Sequence, residues 1–126
     1  MILGLGTDLI DIGRIERAIA RPHFLARVYT EAEQAAIARK GAQTAAGYFA
    51  AKEAVSKALG TGFRGFSMSD ISIEPDALGR PVARLAGGAL ARMTAMGGKR
   101  LHVSIAHAGG FATAAAVLEG ELTDAP

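Results

Sequence analysis

A chain of 126 residues, 50% apolar and 21% charged, has the size and balance of one globular domain. It has no cysteine, which excludes disulfides, thiol nucleophiles and Cys-ligated zinc. The net charge of +2 is too small to argue for nucleic acid by itself. No leader pattern and no run of about 20 apolar residues stands out, so the expectation is a cytoplasmic protein.

Met1 to Thr7 is apolar, small and β-permissive and predicts a short strand, with Asp8 where it ends. Asp11 is placed to cap a helix over about 12–20. Ile12, Ile15 and Ile19 give that helix a buried stripe, and Pro22 stops it. Thr30 and Glu33 have capping-box spacing and predict a helix to about Arg39. Gly41 breaks the chain before a longer helix over about 44–59, which Gly60 ends. Residues 60–66 read as a Gly-rich loop. Ile71 and Ile73 alternate with Ser72 and Glu74 as in a strand. Residues 75–81 form a turn, and 82–85 the partner strand. Residues 88–96 suit a short helix. Leu101, Val103 and Ile105 alternate with His102 and Ser104 in a further strand. Gly109 and Gly110 turn the chain into a last strand over 111–118, expected to be buried on both faces because it is almost free of polar residues. The tail from about 120 is expected to fray. This order predicts one α+β domain over residues 1–126, with an antiparallel sheet packed against helices.

Glu53 and Lys57, four apart on one helix, have the spacing of an ordinary surface ion pair worth about 0.2–0.5 kcal/mol. The same two residues also suit a hard oxygen ligand and a phosphate-binding cation, and spacing does not choose. An Asp after a strand is commonly a turn or cap residue; with Asp11 free to cap, Asp8 has no evident local task. His107 ends the apolar face of its strand, where a packed histidine is the ordinary outcome. His23 and His102 read as surface residues, and no histidine pair has zinc spacing. Arg14, Arg17 and Arg21 form a basic stripe, either a solvated face or a docking surface for an acidic partner. Arg39 and Lys40 form a second basic spot at a helix end, where cations also complement the dipole. The glycines at 60–65 fit no nucleotide phosphate loop, and Gly4 and Gly6 lack the third glycine of a dinucleotide fingerprint.

Gly4-Leu5-Gly6-Thr7-Asp8-Leu9-Ile10-Asp11 and the run from Phe49 to Gly62, which contains Lys52-Glu53-Ala54-Val55-Ser56-Lys57, resemble the motifs of the holo-[acyl-carrier-protein] synthases. Tyr29-Thr30 with Glu33, Gly79-Arg80-Pro81 and Ser104-Ile105-Ala106-His107 follow in the same order. The resemblance covers nearly the whole chain. It implies transfer of 4′-phosphopantetheine from coenzyme A to a serine of apo acyl carrier protein, with release of adenosine 3′,5′-bisphosphate. Asp8 and Glu53 would then hold Mg²⁺, completed by pyrophosphate oxygens and water. The base would be Glu53 itself or a water held by the ion. Lys57 would stabilise the leaving phosphate, and His107 would lie near the coenzyme. Arg39 and Lys40 would face its 3′-phosphate. Gly79, Arg80 and Pro81 would line the adenine side from a neighbouring subunit of a homotrimer. Arg14, with Arg17 and Arg21, would dock the acidic carrier.

Two positions depart from the family pattern. Tyr48 stands where Arg or Trp is common, and Ala108 where a polar residue is common. The absence of a linker-like end favours a free-standing enzyme, and the resemblance implies fatty acid biosynthesis and lipid metabolism, with a fatty acid or a polyketide carrier both left open. The alternatives are a non-catalytic module holding an acidic protein or nucleotide and, last, an RNA-binding domain, which would need aromatic platforms this chain lacks.

Overall fold

Gly4, Gly6, Asp8 and Ile10 alternate with Leu5, Thr7 and Leu9, and this period of two runs as one strand, β1, over Ile2–Asp11. The computed structural model describes residues 1–122. Asp8 therefore lies inside a strand and not at its end; alternation continues past it because Ile10 still faces the core. Asp11 then caps α1 (Ile12–Ile19), accepting the Arg14 backbone N–H at 2.9 Å.

Pro22 ends nothing more than a short gap. It opens a helix that the sequence reading left out, α2 (Pro22–Val28), because a proline at the first helical position needs no N–H partner. Thr30 and Glu33 form the expected capping box at the start of α3 (Glu31–Lys40). After Gly41 comes α4 (Ala42–Ala58), the longest helix. The hairpin β2 (Ile71–Pro75) and β3 (Pro81–Leu85) precedes α5 (Gly87–Ala95), β4 (Gly98–Ala108) and β5 (Phe111–Gly120).

The larger sheet is antiparallel in the order β1-β5-β4, and α4 packs across its inner face. Only that face of β5 is buried. Ala112, Ala114, Ala116 and Leu118 point into the core, while Phe111 and Thr113 are exposed and Ala115 and Val117 half-buried. The expectation of burial on both faces fails because no helix of the same chain covers the outer one. β5 runs through Gly120, and the last four residues of the tail lie outside the described residues.

One buried ion pair ties the layers together. Lys52 Nζ lies 2.7 Å from Glu33 Oε1, with both side chains fully shielded. The ammonium also donates to the carbonyls of Met68, at 2.9 Å, and Ile71, and sits 5.8 Å from the centre of the Tyr29 ring. Glu33 accepts the backbone N–H groups of Thr30 at 2.8 Å and Ile73 at 2.7 Å. Burial pulls the Lys52 ammonium down from its ordinary pKa, and the Glu33 carboxylate opposes that pull. The network joins α3, α4 and β2 and leaves no buried side-chain N or O without a partner among the described residues.

Removing one partner strands the other charge in the core. Lys52→Met is expected to cost about 3–5 kcal/mol, read from the urea midpoint by circular dichroism. A loss below about 1 kcal/mol would show that the pair is dispensable.

Candidate active site

Two glycines decide where Asp8 stands. A Cβ on Gly4 would lie 1.9 Å from the carbonyl oxygen of Ala58, and one on Gly6 would lie 1.9 Å from that of Ala54. Neither position tolerates a side chain, so β1 and α4 meet nearly backbone to backbone. Two residues further along the same face, Asp8 reaches the side of α4 that carries Lys57. The Lys57 ammonium donates to the Thr7 carbonyl at 2.8 Å and to Asp8 Oδ1 at 3.3 Å. The simple Glu53–Lys57 surface pair is thus not formed; the strand offers Lys57 a better partner.

Glu53 has no ion-pair partner among the described residues. Burial pushes its carboxyl above the ordinary range, the charge of Asp8 pushes the same way, and Lys57 partly opposes both. Two carboxylates under mutual repulsion have an incentive to share a cation. Among the described residues no group of three or more metal-ligating side chains forms. The pair alone fits a hard ion such as Mg²⁺, which takes one or two carboxylates and fills its remaining positions with phosphate oxygens and water.

Asp8 and Glu53 line a cleft of about 530 Å³ together with Arg14, Arg17 and Arg21. The carboxylates are half-buried and the arginines exposed, so the cleft is acidic within and basic at its rim. Phe24 of α2 and Phe49 of α4 stack in its wall with ring centres 6.3 Å apart. Sequence reasoning missed Phe24 with its helix; Pro22 at a first helical position was the signal for it.

The residues expected around the coenzyme lie elsewhere. Lys40, Gly79, Pro81 and His107 line a second groove of about 210 Å³, with Thr44, Gly47 and Tyr48 of α4 and Glu74 of β2. A Cβ on Gly47 would come within 3.0 Å of both His107 Nε2 and Ile105 Cγ2, so this glycine makes room for the imidazole. His107 Nε2 lies 2.9 Å from the Gln43 carbonyl. That nitrogen carries the proton, which leaves Nδ1 as the free one.

Within one chain, three of the expected residues stand apart. Arg80 does not line this groove; its Nε pairs with Asp76 Oδ2 at 2.9 Å, across the turn that Asp76 itself organises. Arg39 does not line it either, its exposed guanidinium reaching only the Ala35 carbonyl at 3.4 Å. His107 does not join Glu53 and Lys57 within one chain. Thr44 and Glu53 are about two and a half helical turns apart, so they leave α4 on opposite sides. The register Asp8–Ala114–Ile105 puts the two edges of the sheet about 10 Å apart with α4 lying between the sites.

The 4′-phosphopantetheinyl transferase superfamily matches residues 4–116, so fold and carboxylate cleft together are those of a group transferase acting on a phosphate-bearing donor. The chain is 50% identical over 123 residues to the holo-[acyl-carrier-protein] synthase of Solidesulfovibrio magneticus, covering 95% of this chain and 100% of that one. Among solved structures, the synthase of Neisseria meningitidis aligns with a TM-score of 0.85 and 36% identity over 94% of this chain and 99% of that one. The Helicobacter pylori synthase in complex with coenzyme A aligns at 0.81 and 34% identity, over 91% and 99%. The chain belongs to the holo-[acyl-carrier-protein] synthase family.

If Asp8 and Glu53 repel, removing one charge stabilises the protein when divalent ions are absent. Glu53→Gln is expected to raise the thermal midpoint at neutral pH by about 1–3 °C, after allowance for solvent screening. The gain should shrink in high salt. Calorimetry in a chelating buffer checks both, and an unchanged or lower midpoint contradicts the repulsion.

Proposed function

We propose that this chain moves 4′-phosphopantetheine from coenzyme A to a serine of apo acyl carrier protein. The observation that carries the reading is the half-buried pair Asp8 and Glu53 within a cleft rimmed by Arg14, Arg17 and Arg21. An acidic carrier meets the arginines, which steer and orient it. The serine oxygen bonds to the pantetheine-bearing phosphorus, and the bond to the nucleotide phosphate breaks. The serine proton goes to Glu53, a half-buried carboxylate with no ion-pair partner among the described residues. The leaving oxygen stays on adenosine 3′,5′-bisphosphate, and Lys57 stabilises its charge as a compact cation. Asp8 and Glu53 are the residues that would hold Mg²⁺, which supplies neutralisation of phosphate charge and alignment of the reacting groups. Lys40, His107 and the backbone at Gly79 hold the nucleotide end.

The groove and the carboxylate cleft lie on opposite sides of α4, which favours an assembly in which one copy's groove faces its neighbour's cleft. The outer sheet face supports this, because Leu5 and Leu9 are 65% and 64% exposed there and Phe111 adds to the same apolar patch. A homotrimer built on that face, working in the cytoplasm in fatty acid synthesis, completes the reading. Among the described residues no helix is long and apolar enough to cross a membrane.

Incubation with coenzyme A, Mg²⁺ and an apo carrier should add one phosphopantetheine to the carrier by intact mass; no adduct with several carriers would sink the proposal. Glu53→Gln should lose about 100-fold or more in turnover yet still bind carrier. Arg14→Ala should instead raise KM for the carrier with kcat retained. A non-catalytic module would bind coenzyme or carrier with no adduct and no dependence on Mg²⁺.

The outer face has its own test. Leu9→Asp is expected to give monomers by light scattering and to lose transfer, since each site would lack its neighbour's groove. An active monomer would refute the shared site.

A further inference from the structure

Lys57 makes both of its polar contacts on the strand that carries Asp8. Its ammonium donates to the Thr7 carbonyl at 2.8 Å and to Asp8 Oδ1 at 3.3 Å. One of its three N–H groups is left over. The Lys57 side chain is 52% exposed and that of Asp8 only 18%, so the cation reaches in from solvent over a carboxylate held in the cleft wall. An ion pair this exposed is weak and yields to a better partner. Among the described residues no other Lys or Arg forms an ion pair with Asp8 or Glu53. Lys57 is therefore the positive charge set directly against the carboxylates.

The proposed transfer gives Asp8 two tasks that conflict. With Glu53 it would hold a divalent ion, yet one of its oxygens already accepts from an ammonium. An ion bound at Asp8 has that ammonium as a near neighbour, and two cations beside one carboxylate repel. Lys57 opposes the metal for as long as it stays on Asp8. A phosphate ends the conflict. A pyrophosphate offers the ammonium a charged partner and the ion a further oxygen ligand, so one anion satisfies both cations. The flexible four-carbon stem and compact charge of lysine suit such a change of partner.

We propose that Lys57 couples metal binding to donor binding. Paired with Asp8 it weakens the hold of the two carboxylates on a divalent ion, and the donor's pyrophosphate draws it off and lets the ion bind. This rests on the reading that coenzyme A is the donor and that Asp8 and Glu53 hold the ion. It is a task separate from stabilising the leaving phosphate, because it acts on the metal and precedes the reaction. The coupling is reciprocal: the ion tightens coenzyme by the same factor as coenzyme tightens the ion.

The test measures ion affinity directly, with Mn²⁺ as the probe because electron paramagnetic resonance reads its free ion. Titrations are run with and without saturating coenzyme A and with no carrier, so nothing turns over, and ion bound by coenzyme alone is subtracted. In the parent protein coenzyme should tighten Mn²⁺ by about ten-fold or more. Lys57→Met, similar in length but uncharged, should bind Mn²⁺ about ten-fold tighter than the parent without coenzyme and within about three-fold of it with coenzyme. A mere change in overall charge would shift both affinities alike. An unchanged or weaker coenzyme-free affinity in Lys57→Met overturns the coupling, and so does an equal gain in both states. If the parent binds no Mn²⁺ even with coenzyme, or Glu53→Gln binds it as tightly as the parent, the reading of the carboxylate pair fails as well, so the two failures are told apart.

Discussion

The near-contact of two backbones, β1 against α4, is the constraint on which the rest of this molecule depends. Gly4 and Gly6 leave no space for a methyl group opposite the carbonyls of Ala58 and Ala54. On the helix side the contact is made by alanines, the smallest residues that still favour helix. Any larger pair would lift the helix off the strand and draw Glu53 and Lys57 away from Asp8. The approach also centres α4 on a sheet only three strands wide, so the helix divides the inner face into two sides. One becomes the carboxylate cleft and the other the groove around His107.

Close approach fixes the distance of α4 but not its rotation, and the buried pair Lys52–Glu33 supplies that. Lys52 is the residue before Glu53, and its ammonium is held by a carboxylate and two carbonyls from other elements. A rotation of α4 that moved Glu53 out of the cleft would pull Lys52 from all three. Two well-packed hydrophobic residues would often serve stability as well as a buried ion pair. Here Glu33 also closes the α3 capping box and bonds the β2 backbone, so the pair places elements as well as filling space.

The two sites are electrostatic opposites in layout. The cleft is negative inside with positive arginines around it, an arrangement for a cation within and an acidic partner outside. The groove combines the Lys40 ammonium with one carboxylate, an arrangement for an anion joined to a neutral donor. A coenzyme with a phosphorylated nucleoside at one end and a pyrophosphate further along matches that division. It also gives a physical motive for association of copies, since α4 keeps the halves apart within each chain.

Much was legible from the residues in order. The capping box, the Asp11 cap, the isoleucine stripe, the alternating strands and the long helix follow from local chemistry, which depends on neighbours within a turn or on a period of two. Asp8, Glu53 and Lys57 follow from motif order and the three arginines from helical spacing, and the fold gathers them in one place. What local chemistry could not decide was long-range. The partner of Lys57 is 49 residues away, the partner of Glu33 is buried on another helix, and Gly4 and Gly6 make sense only against a helix more than 45 residues on. The separation of His107 from Glu53, the outward turn of Arg80 and the presence of Tyr48 and Glu74 in one groove depend on which side of α4 each strand falls. Sequence determined the chemistry available and most of the elements that carry it. Tertiary structure decided which charges meet, because burial and opposition across elements are set by packing and not by spacing along the chain.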